Sequence, residues 1–467
     1  MKFTIQITAV SDDNEIISES EVISIGKAYT KIENIGLSIL ESKNILHFFQ
    51  QYTIDHQLRE YLKRYFSCDE CGKKMNKKGH NTFKFRTLFG KINIKNPRFY
   101  YCDCQDESEV ATFSPLTKLF TEKTSPELLY FESKWASIVS YKCAEKILKD
   151  FFPVDKTLNS SSIRLNTLKV AEQCEEKLGE EKIFFASGCQ LDWDALPEAN
   201  DPITVGIDGA YVKKWKYRKK NFEIIAGKSI PGKGPAKYFG LTVRYDQKPK
   251  RRIYDVLKSQ NMQQNQEIVF LSDGEEALWN IQEFINPNSI FVLDWFHITM
   301  RITVLNQFIK GMIHVDEKAG MELKELLTST KWSLWHGKIH KALDRFETII
   351  DYMYYFEKSY KNFKKFEKLV LEFDTYIRNN HRMIPNYCKA YNAGYPISTA
   401  FVESTVNNFI AKRFAKKQQM QWSEKGVHLL IQVRAKVFNH ELTKIFKDKY
   451  PEFLIESGEE VMDEKVA

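Results

Sequence analysis

The chain has 467 residues, 43% hydrophobic and 28% charged, with a net charge of +8, a globular balance with material for about three domains. That composition excludes a disordered protein, apart from the acidic, aromatic-poor end "ESGEEVMDEKVA". No stretch approaches the roughly twenty apolar residues of a membrane span, which excludes a membrane-spanning helix.

The N-terminus, "MKFTIQITAVSDDNE", alternates like a strand over residues 2–10 and lacks a signal-peptide layout. A cytoplasmic protein without a membrane partner is therefore expected. Its 8 Cys would be reduced, and clustered ones read first as metal ligands. Apolar residues at three- and four-residue spacing predict a helix over 38–66. Cys68 and Cys71 then form a C-x2-C pair followed by Gly72, and Cys102 and Cys104 a tighter C-x-C pair. The intervening "NTFKFRTLFGKINIKNPRFYY" alternates like a hairpin turning near Gly90. Two such corners at hairpin ends suit a four-sulfur structural zinc, with His80 as an alternative ligand at the second corner. Four unligated core thiols are the competing reading. Cys143, Cys174, Cys189 and Cys388 are scattered and read as core cysteines.

Ser125-Pro126 with Glu127 predicts a helix start, and helices continue to about residue 180; a helix-turn-helix is one arrangement among several. Residues 186–202 read as a linker. From Ile203 the texture changes to strands: "ITVGID", "FEIIAGKSI" and "KYFGLTVRYD", then a helix in "PKRRIYDVLKSQ", the strand "EIVFLS", the helix "EEALWNIQEFI" and the strand "SIFVLDWF". That order predicts an α/β sheet opening with an antiparallel meander. A long helical region follows to about residue 395, and a last helical run starts at "STAFVESTVNNFIAKRF".

Asp208 and Asp273 each precede a glycine at an expected strand end. A single Asp-Gly reads first as a turn. Two of them ending neighbouring strands would bring together carboxylates that repel unless a cation joins them. Glu403 in "AFVESTVNN" supplies a helical third ligand, with Asn407 one turn later. Such a set suits two magnesium or manganese ions in phosphodiester chemistry. Asp294 and His297, one turn apart in "VLDWFHI", read as supporting groups, with ligation and a core histidine as alternatives. Basic residues gather in "YVKKWKYRKK" (Lys213, Lys214, Lys216, Arg218, Lys219, Lys220), "QKPKRR" (Lys250, Arg251, Arg252) and "AKRFAKK" (Lys412, Arg413). Interleaved with aromatics such as Trp215 and Tyr217, these clusters suit a nucleic-acid backbone; a solvated surface is the competing reading.

Taken together, "VGIDGAYV", "FEIIAGKS", "YDQKPKRRIYDVLKSQ", "FLSDGEEALWNIQ", "VLDWFHITMR", "KWSLWHGK" and "FVESTVNN" resemble the ISKra-type insertion-sequence transposases, relatives of the Mutator-like DDE group. The resemblance runs over roughly residues 35 to 440 and departs from the family pattern at the C-x-C corner. It implies an RNase H-like mixed sheet interrupted by an all-helical insertion, with N-terminal helical and zinc-ribbon modules. Asp208, Asp273 and Glu403 would be the DDE triad, with Asp294 and His297 its D-x2-H motif. The expected divisions are a strand and helical arm (1–66), a zinc ribbon (67–110), a helical DNA-binding region (111–190), a first core part (203–298), the insertion (299–395), the final core helices (396–445) and an acidic tail (446–467). The implied activity is magnesium-dependent cleavage and strand transfer on double-stranded DNA, at element ends and target, by a nucleoid-associated homodimer or higher oligomer. A catalytically silent DNA-binding derivative and a nuclease without strand transfer are the alternatives.

Overall fold

A computed structural model describes the chain except residues 11–13, 15, 105–111, 184, 186–188, 200, 216–219, 275–284, 287–288, 416–420 and 456–467, and except the side chains of Glu21, Val22, Gln190, Glu403 and Thr405. Among the described residues the fold is mixed α/β with three sheets. It divides into two compact units, Met1–Val170 with His440–Ala467, and Ala171–Asn439. The division falls inside a helix, Ser160–Lys177, rather than in the 186–202 segment. The expected helix in "EEALWNIQEFI" lies almost wholly outside the described residues.

In the first unit, β1 (Lys2–Val10) pairs with β2 (Ile16–Gly26). The 25-residue α1 (Ile39–Lys63) starts at Ser38, whose side chain accepts from the Glu41 amide while Glu41 reaches back, a capping box. β3 (Lys77–Thr87) and β4 (Gly90–Tyr100) form the expected hairpin, and β5 (Thr112–Phe113) adds a third strand. Ile54 from α1 packs with Ile92, Ile94 and Leu116. The helices α2 (Leu116–Leu119), α3 (Pro126–Ile138), α4 (Tyr141–Phe151) and α5 (Ser160–Lys177) follow. Ser125 caps α3 as its position before Pro126 predicts.

The second unit begins with the end of α5 and the short α6 (Gln190–Asp194), and is built on a five-stranded sheet in the order β10-β9-β6-β7-β8. β6 (Ile203–Lys213), β7 (Asn221–Ile230) and β8 (Lys237–Thr242) make an antiparallel meander. After α7 (Pro249–Lys258), β9 (Ile268–Ser272) runs parallel to β6, and β10 (Ser289–Leu293) parallel to β9. Every residue of β9 is buried, which accounts for its unbroken apolar run. The helices α8 (Trp295–Ile313), α9 (Glu317–Trp335), α10 (Ile339–Met353), α11 (Phe363–Asn379) and α12 (Tyr387–Asn392) share one apolar core with Val269, Leu271, Val292 and Leu293 of the sheet. The chain then returns through α13 (Ala400–Thr405), a π-helix (Val406–Ala415) and α14 (Glu424–Phe438), which packs on β8. Finally, α15 (Leu442–Lys449) belongs to the first unit, where Phe446 meets Tyr130 edge to face at 5.4 Å.

Among the described residues no helix is long and apolar enough to cross a membrane. Cys143 and Cys189 are exposed and Cys174 and Cys388 partly so, contrary to their expectation as core residues.

Candidate active site and metal centre

Strand register places three aspartates at one level of the sheet. β6 and β9 pair through Gly206–Leu271; two residues further, the same register sets Asp208 beside Asp273. β9 and β10 pair through Ser272–Leu293; one residue further, Asp294 stands level with Asp273. Neighbouring strands lie about 4.8 Å apart, and level residues of parallel strands face the same way. Asp273 ends its strand as expected, and Gly274 turns the chain at φ +84°. Asp208 does not: β6 runs on to Lys213, paired with β7 throughout. The Asp-Gly pair that reads as a turn is here an in-strand carboxylate followed by a glycine.

The charges are coupled. Burial raises the Asp208 carboxyl above its ordinary pKa, opposed by the His297 imidazole and by the Gly209 amide donating at 2.8 Å, and reinforced by the negative charges of Asp273 and Asp294. Asp294 itself is fully buried and already occupied. It caps α8 by accepting from the Phe296 amide at 2.8 Å, and accepts from the amide of Thr399 at 3.1 Å and from its hydroxyl. His297 Nε2 lies 3.6 Å from Asp294 Oδ2, the oxygen to which the Thr399 hydroxyl donates. Asp294 thus fastens the segment that leads into α13.

That attachment matters because α13 carries Glu403. An added Cβ on Gly206 would lie 2.0 Å from Val402 Cγ2 and 2.7 Å from Phe401 Cζ, so only glycine lets α13 pack this closely on β6. Gly206 and Asp208 point to the same face of their strand. The backbone of Glu403 therefore crosses the sheet on the Asp208 face; its side chain lies outside the described part. The winding changes to π at Val406, so the four-residue spacing from Glu403 to the exposed Asn407 is not that of a continuous α-helix. Arg434 steadies the π-helix by donating to the carbonyls of Asn408 at 2.6 Å and Phe409 at 2.5 Å.

Sequence reasoning missed the groups that the helical segment brings to this level. Tyr376 on α11 donates to the Asp273 carbonyl at 2.8 Å, and burial followed by the Asp273 charge raises its phenol well above the ordinary value. Asn380 closes over Gly274, where an added Cβ would lie 2.4 Å from its Oδ1. Tyr387 donates to the Leu293 carbonyl at 2.7 Å. No local pattern distinguishes these residues from other helical aromatics and amides.

The basic residues divide. Lys213, Lys220 and Lys412 are exposed. Lys214 pairs with Glu424 at 2.8 Å, and Lys250 is half-buried. Arg251 donates to the Leu178 carbonyl at 2.8 Å. Arg252 and Arg413 are buried and present no charge to a polyanion, which corrects the expectation for both. Lys216, Tyr217, Arg218 and Lys219 lie outside the described residues; Trp215 is 68% exposed.

Two clusters of metal-ligand type converge within 4.8 Å among the described residues, and the strand-level aspartates are not one of them. The first is Cys68, Cys71, Cys102 and Cys104, without His80. Its sulfurs pair at 3.5 Å (Cys68–Cys104) and 3.4 Å (Cys71–Cys102), and Gly72 turns at φ +70° behind the first corner. The backbone amides of Cys71 and Glu70 bring the Cys68 thiol down to about 7, toward the thiolate that a metal requires, while the neighbouring Cys71 and Cys102 sulfurs push the Cys104 thiol well above its ordinary value. The second cluster, Glu175, Asp246 and His428, surrounds Arg252. Arg252 donates to Asp246 at 2.8 Å and to both Glu175 oxygens at 2.9 Å. A buried guanidinium already holds both carboxylates, so this cluster is an ion-pair network rather than a cation site.

No protein-family model matches the chain, and no curated protein matches it.

Proposed function

We propose that the second unit is the catalytic core of a DDE transposase of an insertion sequence, acting on double-stranded DNA. The observation that carries this reading is the shared register of Asp208, Asp273 and Asp294, with α13 held over the first of them at Gly206. An antiparallel meander flanked on its first strand by two parallel strands supports an RNase H-like sheet, and α8–α12 support its all-helical insertion. Asp208 and Asp273, with Glu403 from α13, would hold two magnesium or manganese ions. The donor set fits, since these ions take carboxylate oxygen and the buried Asp208 needs positive charge beside it. When bound, such ions supply activation of the attacking oxygen and stabilisation of the leaving one. Asp294 is left out of the ligand set because the amides of Phe296 and Thr399 occupy it.

In the first unit the four thiols would hold a structural zinc. Zinc–sulfur bonds of about 2.3 Å in a tetrahedron separate sulfurs by roughly 3.8 Å, close to the spacing across this cluster. The helical and zinc-ribbon regions would recognise element ends, and joining two ends calls for a homodimer or higher oligomer.

Incubation with magnesium and DNA carrying the element's ends tests the reading. The expected product is a cut strand with a free 3′-OH at the element boundary. Binding without any such product would replace the transposase by a catalytically silent DNA-binding protein.

A further inference from the structure

We propose that Arg301 receives a substrate phosphate beside Asp273, forming the anion-holding side of the acidic site. This deepens the DNA-processing reading and rests on it.

Arg301 stands one turn after His297 on α8, and residues so spaced share a helix face. Its guanidinium lies over the Tyr376 ring, 4.3 Å from the centroid. Tyr376 is the residue whose hydroxyl holds the Asp273 carbonyl at 2.8 Å. A single ring thus connects the arginine to the strand end that carries the carboxylate.

Arg301 is exposed, and among the described residues its guanidinium has no ion-pair or hydrogen-bond partner. Some other cations of this unit are already paired. Lys214 pairs with Glu424, Arg252 with Asp246 and Glu175, and Arg378 with Asp374 and Glu347. An arginine placed to neutralise the aspartates would be paired with one of them. This one instead lies over an aromatic face, a contact that does not consume its N–H donors. Those donors form a fork that matches two oxygens of a phosphodiester. A nucleic-acid strand drawn to a site lined by carboxylates also needs local positive charge that those carboxylates do not cancel.

The test uses the full-length protein, a short fluorescent DNA duplex of arbitrary sequence, and calcium to permit binding without turnover. Binding of wild type, Arg301→Ala and Arg301→Lys is measured across a series of salt concentrations. The expected result for Arg301→Ala is weaker binding, with the slope of log K against log salt shallower by about 1, the signature of one lost phosphate contact. Arg301→Lys should recover the slope and only part of the affinity, because an ammonium lacks the fork. Identical slopes and affinities for wild type and Arg301→Ala would overturn the inference while leaving the DNA-processing reading intact. A drop in melting temperature with an unchanged slope would overturn it too, reducing Arg301 to a prop for Tyr376. Absence of duplex binding by the wild type would overturn both.

Discussion

Glu132 has no exposed surface. Asn166 donates to its Oε2 at 2.6 Å, while Oε1 has no hydrogen-bond partner among the described residues. Burial pushes the carboxyl up to about 7, against the opposing pull of Asn166 and the Arg86 charge. Since the folded pKa lies above the unfolded value of 4.5, its contribution to stability is fully present below that value and is lost as pH rises through about 7. Glu132→Gln keeps the shape and an acceptor for Asn166 but cannot ionise. The expected outcome is a variant matching wild type at a pH below 4.5 and exceeding it, by on the order of 2–3 kcal/mol, at a pH above 7. Thermal unfolding across pH checks this, and parallel curves for the two proteins would contradict it. At this scale some roles follow from residue type and position: Ser38 and Ser125 cap helices just where the pattern begins. Asp208 was legible as a chemical group and not as a location. Asp-Gly is common in turns, and nothing local shows that five further pairings with β7 carry the strand past it.

Among elements, the hairpin between the cysteine pairs follows its alternating pattern, with Thr87 paired to Gly90 around the turn. Strand β2 escaped notice because "IISESEVISIG" mixes charge with apolar residues and its partner β1 is itself largely exposed. The π-winding after α13 also has no sequence signature of its own; the buried Phe409, Ile410, Arg413 and Phe414 read equally well as an α-helical face. If the four thiols hold zinc, the purified protein carries one zinc per chain, and Cys71→Ser loses it together with cooperative unfolding of the first unit. Metal analysis alongside thermal unfolding checks this. A zinc-free protein, or a serine variant that unfolds as wild type does, would contradict it.

For the molecule as a whole, the order of elements was readable and the contacts that finish the site were not. Three strands, a helix, two further strands and a long helical block follow from hydrophobic periodicity. The groups that fix the strand ends arrive from far along the chain. Tyr376 reaches Asp273 across 103 residues, and Thr399 reaches Asp294 across 105. Separations of that size leave no period in a sequence, and only the folded chain shows that the helical block holds the acidic site as well as enlarging the unit. The role proposed for Asp273 is that of a metal ligand in DNA strand transfer. It is tested most directly by supplying pre-cut element ends, target DNA and magnesium to wild type and to Asp273→Asn. Joined product is expected with wild type, none above background with the variant, and equal binding of the ends by both. Full joining by Asp273→Asn would contradict it.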